Sequence, residues 1–236
     1  YLKKSRRDAL EAASVVFTYL SLFLTFLVAA GIIFAPLIVK LIAYGFASDP
    51  QKFEMTVYLT RLMFPYIMLI SLVALAMGIL NSLKKFAAPA ASPIFLNIAI
   101  IFGAVVLSKL FDFPATGLAI GVLIGGVLQL SLQIPSLAKE GMIPRINFNW
   151  RHKALKDVLF LMIPSAFGAA VYQINVLVVT LLASFLPEGS VSYLWYADRV
   201  SEFPLGIFAI SVATAALPTL SDNAAEKDPQ AFKETL

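Results

Sequence analysis

The chain has 236 residues, of which 60% are hydrophobic and only 14% charged, with a net charge of +4. A water-soluble domain carries roughly 25% charged residues because its surface must be wet, so lipid is the solvent for most of these side chains. The absence of cysteine and the single histidine, His152, exclude disulfides, thiolate chemistry and a histidine-built zinc site.

The chain opens at Tyr1 without an initiator methionine and closes inside what reads as the start of another helix, as a piece of a longer protein would. Between its ends lie apolar runs, each long enough for the roughly 20 residues that a membrane-crossing helix needs. The spans predicted are about 12–39, 57–83, 88–110, 114–138, 156–186 and 189–219. The runs are continuous, whereas a membrane barrel alternates with period two, and backbone groups in hydrocarbon must be satisfied within the segment. The predicted fold class is therefore an all-α membrane protein, a polytopic bundle of about six transmembrane helices.

The first span is preceded by Lys3, Lys4, Arg6 and Arg7. The second is entered through Arg61, close to the far interface. Two readings of Arg61 stand: a snorkelling side chain or a substrate contact. Lys84 and Lys85 separate the second and third spans, and Lys109 separates the third and fourth. The fourth carries Gly121, Gly125 and Gly126, small residues that let helices pack closely in lipid, and Gln129 and Gln133, read as interhelical hydrogen-bonding groups. Pro36, Pro65, Pro93, Pro164 and Pro204 fall within spans and are expected to bend them, as in transporters that change shape.

The only long connection, about 139–156, mixes Phe148 and Trp150 with Arg145, Arg151, Lys153 and Lys156. That composition suits a cytoplasmic interfacial segment lying on anionic headgroups, with membrane lipids rather than nucleic acid as its partner. Thirteen of the eighteen basic residues fall on the side of the N-terminus and only three on the other. The positive-inside rule then puts both chain ends in the cytoplasm.

The sixth span is interrupted by Asp198, Arg199 and Glu202. An ionised side chain near mid-membrane costs from about 2.5 kcal/mol upward, so it normally faces a polar cavity or a partner. Ser192, Trp195 or Tyr196, Arg199 and Glu202 recur at helical spacing and share one face. Two readings stand again. One is a cavity wall that binds an anionic group, for which the planar fork of arginine is suited to phosphate; the other is an intrahelical Arg199–Glu202 pair with no ligand. No nucleophile motif, metal cluster or nucleotide-binding loop is present, so neither enzymatic activity, cofactor nor metal is expected. The charged stretches near the two ends are alike, which fits a duplicated transporter.

The run Arg61-Leu62-Met63-Phe64-Pro65-Tyr66-Ile67, then Gly78-Ile79-Leu80-Asn81-Ser82, Phe86-Ala87-Ala88-Pro89-Ala90, Pro93 and Asn97 resembles the MurJ (MviN) lipid II flippase family. The stretch from Trp195 through Asp198-Arg199-Val200-Ser201-Glu202-Phe203-Pro204 to Gly206, and on to Leu217-Pro218-Thr219-Leu220-Ser221, is similar to a second part of it. The resemblance implies a two-lobed exporter fold of the multidrug/oligosaccharidyl-lipid/polysaccharide exporter superfamily, with this chain supplying the third to eighth helices. It implies translocation, by alternating access across the bacterial inner membrane, of an undecaprenyl-pyrophosphate-linked peptidoglycan precursor (lipid II), with cell-wall synthesis proteins as further partners; the alternatives are another exporter of the same superfamily, moving drugs or other lipid-linked oligosaccharides, and a non-transporting membrane scaffold. The pyrophosphate would sit in a central cationic cavity. Arg199 is the position that matches a cavity arginine; Glu202, Asp198, Ser192, Tyr196 and Arg61 complete the expected substrate-binding set.

Overall fold

The computed structural model describes residues 5–204. The chain divides into two compact units, Tyr1–Leu181 and Leu182–Leu236, each described by itself. Every regular element among the described residues is helical: α1 (Arg6–Ile33), α2 (Ala35–Ile42), a 3-10 turn (Tyr44–Ser48), α3 (Pro50–Met63), α4 (Pro65–Ser82), α5 (Ala87–Val105), a second 3-10 turn (Leu107–Leu110), α6 (Pro114–Lys139), α7 (Lys153–Ala183) and α8 (Ser190–Pro204). Five segments are long and apolar enough to cross a membrane: Arg6–Ile33, Pro50–Ser82, Ala87–Leu110, Pro114–Lys139 and Lys153–Ala183. The all-α membrane expectation is met. Of the span predicted at about 189–219, the part beyond 204 lies outside the described residues.

The capping chemistry is local. Ser5 opens α1, its Oγ accepting from the Arg7 N–H at 3.1 Å, and Asp49 opens α3 by accepting from the Lys52 N–H at 3.1 Å, with Pro50 in the first-turn position that suits proline. Prolines also divide two of the predicted spans. The first breaks at Phe34, just before Ala35-Pro36, and the second at Phe64, just before Pro65. Pro93 and Pro164, by contrast, lie inside continuous helices.

α4 and α6 end alike. The Lys85 N–H reaches back to the Leu80 carbonyl and the Lys84 N–H to Asn81; the Met142 N–H reaches Leu137 and the Gly141 N–H reaches Ala138, each at 2.9 Å. These are paired Schellman closures, with Lys84 (φ 58°) and Gly141 (φ 59°) in the left-handed position. Glycine takes that conformation freely; Lys84 adopts it at a cost of about 1 kcal/mol. Met142 and Leu137 then bury together with Ala9, Ala76, Ile79 and Leu80, joining α1, α4 and α6 at their basic ends.

Above that core the Glu140 carboxylate meets both Lys85 and Arg6 at 3.0 Å. The hydrogen bond and charge of Lys85, seconded by Arg6, hold the Glu140 carboxyl below its ordinary range. A depressed carboxylate contributes stability above its unfolded-state pKa and loses it as pH falls through the folded one. Thermal unfolding of the purified full-length protein from pH 7 downward therefore has an expected outcome: Glu140→Gln flattens the acid limb of the Tm profile below the usual carboxylate range. Superimposable acid limbs would remove this role.

The α6–α7 connection is laced onto α1. The Arg145 N–H donates to Ser14 Oγ at 3.0 Å, the Asn147 N–H to Thr18 Oγ1 at 2.8 Å, and Tyr19 Oη donates to the Phe148 carbonyl at 3.0 Å. The match is geometric: four helical residues rise roughly 6 Å and two extended residues about 6.6 Å. Each hydroxyl gives its own proton to a carbonyl one turn back, Ser14 to Leu10 and Thr18 to Ser14, and so presents its oxygen as an acceptor.

α5 and α6 pack through glycine. A Cβ on Gly121 would lie 2.7 Å from the Ala99 carbonyl oxygen, one on Gly103 2.8 Å from that of Gly117, and one on Gly117 2.3 Å from the Ser108 nitrogen. The predicted close approach holds. The interhelical hydrogen bonds expected of the buried amides do not form: Gln129 Oε1 and both polar atoms of the Gln133 amide have no protein partner among the described residues.

Candidate functional site

α8 starts where the Pro187-Glu188-Gly189 turn releases the chain. Gly189 has a φ of 89°, and the Tyr193 ring lies over it, so glycine meets both a conformational and a spatial demand. Ser190 Oγ donates to the Pro187 carbonyl at 2.7 Å, and the Tyr193 N–H donates to the Gly189 carbonyl at 2.9 Å. This sets the helical phase for the charged residues that follow.

On α8, Arg199 Nη1 donates to Glu202 Oε2 at 2.7 Å, and the Arg199 guanidinium carbon lies 5.7 Å from the centre of the Trp195 ring. Spacing left Trp195 and Tyr196 open as neighbours; the ring contact selects Trp195. Ser192 and Tyr196 lie on the same side by helical spacing and are exposed. Asp198 is exposed a quarter turn away and forms no ion pair among the described residues.

The Arg199–Glu202 pair is itself a weak constraint. The two side chains are 65% and 45% exposed, and an exposed i, i+3 pair contributes only about 0.2–0.5 kcal/mol. Glu202 engages one of the five guanidinium N–H groups. The other four have no protein partner among the described residues. Among the described residues no cluster of three or more carboxylate, imidazole or thiol side chains could hold a metal ion.

Arg61, in the first unit, has a different setting. Its Nε donates to the Ile32 carbonyl at 3.1 Å, at the end of α1. The guanidinium is thus fastened to backbone, a role neither of its two sequence readings foresaw. Pro36 signalled a missing helical donor, but only the fold shows which side chain replaces it.

The family model described as "Lipid II flippase MurJ" matches residues 1–236. The chain belongs to the lipid II flippase MurJ family. It is similar to the lipid II flippase MurJ of Burkholderia cenocepacia, 39% identical over 234 residues, covering 97% of this chain and 45% of that protein. The probable lipid II flippase MurJ of Buchnera aphidicola subsp. Acyrthosiphon pisum is 40% identical over 220 residues, covering 93% and 43%. That of Vibrio cholerae is 43% identical over 185 residues, covering 78% and 35%. The chain therefore spans less than half the length of these curated relatives. Membership of this family, with five helices long and apolar enough to cross a membrane, makes the chain part of a multi-pass membrane protein.

Proposed function

We propose that the protein containing this chain translocates lipid-linked peptidoglycan precursor, lipid II, across the bacterial inner membrane by alternating access. The observation that carries the reading is Arg199: a guanidinium on a helix of the family's transporter fold, weakly paired and with most of its donors uncommitted. A pyrophosphate oxygen pair fits that fork bidentately, whereas a neutral cargo leaves the charge without a purpose. Glu202 holds Arg199 between cargoes and gives way to the anion. Asp198 tunes the local charge, and Ser192 and Tyr196 offer hydroxyls along the same stripe to the sugar-peptide head group.

In this reading both ends of the segment and the 139–156 connection face the cytoplasm, where the basic residues gather. The connection lies on the cytoplasmic leaflet. Its Ile146, Phe148 and Trp150 side chains point outward at alternate positions, and Arg151 stacks on Trp150 at 5.1 Å, placing apolar groups against acyl chains and cations against headgroups. Cell-wall synthesis proteins are the partners that an activity delivering precursor to the far leaflet implies.

The test is a vesicle flipping assay with the full-length protein, offering lipid II beside a different lipid-linked glycan and a cationic drug. Selective movement of lipid II is expected. Movement of the drug or the unrelated glycan with lipid II left in place would overturn the reading.

A further inference from the structure

Two helix breaks in the first unit touch each other. In an α-helix the Ile32 carbonyl would accept from the N–H of residue 36, and Pro36 has none. On the two sides of the break the Phe34 N–H bonds the Ala30 carbonyl at 2.8 Å and the Ile38 N–H bonds the Phe34 carbonyl at 3.0 Å. The vacancy is filled from the neighbouring helix: Arg61 Nε donates to that same Ile32 carbonyl. Arg61 itself stands four residues before Pro65, the proline of the second break, so its own carbonyl loses its helical donor in the same way. The Phe64 ring, at the second break, lies over Gly31, where a Cβ would fall 1.9 Å from its Cε1.

Beyond the two breaks α2 and α3 share a core of Ala35, Val39, Val57 and Phe53. On the other side α1 and α4 share the core around Ala9, Ala76 and Leu80. The two joints therefore separate two packed layers. A buried carbonyl without a donor is costly, so the donor that satisfies Ile32 constrains the bend it crosses.

We propose that Arg61 is a positioning residue: it supplies the hydrogen bond that Pro36 removes and thereby makes the bends at Phe34 and Phe64 move as one hinge. The bond to Ile32 is made by Nε and accounts for the residue's place at the break without a substrate contact. The hinge belongs to the fold of the first unit and stands whatever cargo the transporter carries.

The test uses spin labels at Phe23→Cys and Leu41→Cys, both exposed and flanking the first break, in the full-length protein freed of other cysteines. Arg61→Met is expected to broaden the distance distribution across that break, although residue 61 is in another helix, and to lower Tm on the order of 2 °C. Pro36→Ala returns an N–H to position 36; in that background Arg61→Met is expected to change neither readout. Should Arg61→Met alone fail to fold, recovery of folded protein in the Arg61→Met/Pro36→Ala double variant carries the same meaning. Equal effects of Arg61→Met in both backgrounds, or an unchanged distribution with Pro36 in place, would overturn the proposal. A substrate-contacting arginine would give that pattern: transport lost in both backgrounds and distances unmoved.

Discussion

Arg199→Ala in the full-length protein is expected to leave a flippase-depleted strain without complementation, and to slow lipid II movement in vesicles by tenfold to a hundredfold. Each hydrogen bond to a charged group contributes about 1.5–3 kcal/mol, and every 1.4 kcal/mol is roughly a factor of ten. Arg199→Lys is expected to retain part of the activity, since it keeps the charge and loses the two-pronged geometry. Membrane abundance of the variant should match the parent, because the Glu202 pair it breaks is exposed and worth only about 0.2–0.5 kcal/mol. Intact complementation by Arg199→Ala would return the residue to a mere intrahelical partner of Glu202 and remove the footing of the transport proposal.

Gly121→Leu is expected to prevent α5 and α6 from packing, seen as loss of folded, detergent-extractable full-length protein. Gly121→Ala should already cost about 1–3 kcal/mol. The reason is what the new atoms would meet: the Ala99 carbonyl oxygen at 2.7 Å and the Gly103 Cα at 3.0 Å, both backbone and unable to turn aside. Gly78 on α4 is the control. Nothing lies within 4 Å of its would-be Cβ, so Gly78→Ala should be neutral or stabilising by up to about 1 kcal/mol, from helix propensity alone. Comparable Tm values for Gly121→Ala and Gly78→Ala would contradict the packing described.

The contrast between these two glycines also marks how far sequence carries. Runs of apolar residues declare an all-helical membrane chain because length and composition are one-dimensional properties. Gly121, Gly125 and Gly126 announced close packing by type, but the partner helix and the role of Gly103 and Gly117 needed the fold. Pro36 and Pro65 were visible as bends; that they abut, and that Arg61 crosses from one to the other, was not, because the two lie on separate helices. Gln129 and Gln133 resembled interhelical hydrogen-bonding groups and are left without partners on three of their polar atoms. At the candidate site, helical spacing put Ser192, Arg199 and Glu202 on one stripe, while the contact of Arg199 with Trp195 depends on a side-chain conformation that spacing does not fix. Ser14 and Thr18 gave no signal at all: a hydroxyl bonded to the preceding turn is an ordinary helix feature until an extended segment arrives beside it.

The extended segment along α1 also shortens the leash on α7. Although the connection from Lys139 to Lys153 looks long, its backbone is pinned to Ser14 and Thr18 as far as Asn147 and to Tyr19 at Phe148. Slack remains only from Asn149 to His152, which at full stretch spans about 14 Å. With the pinning intact, α7 can swing about a pivot on α1, three turns from the Arg6 end, but it cannot drift farther from that helix than four residues allow.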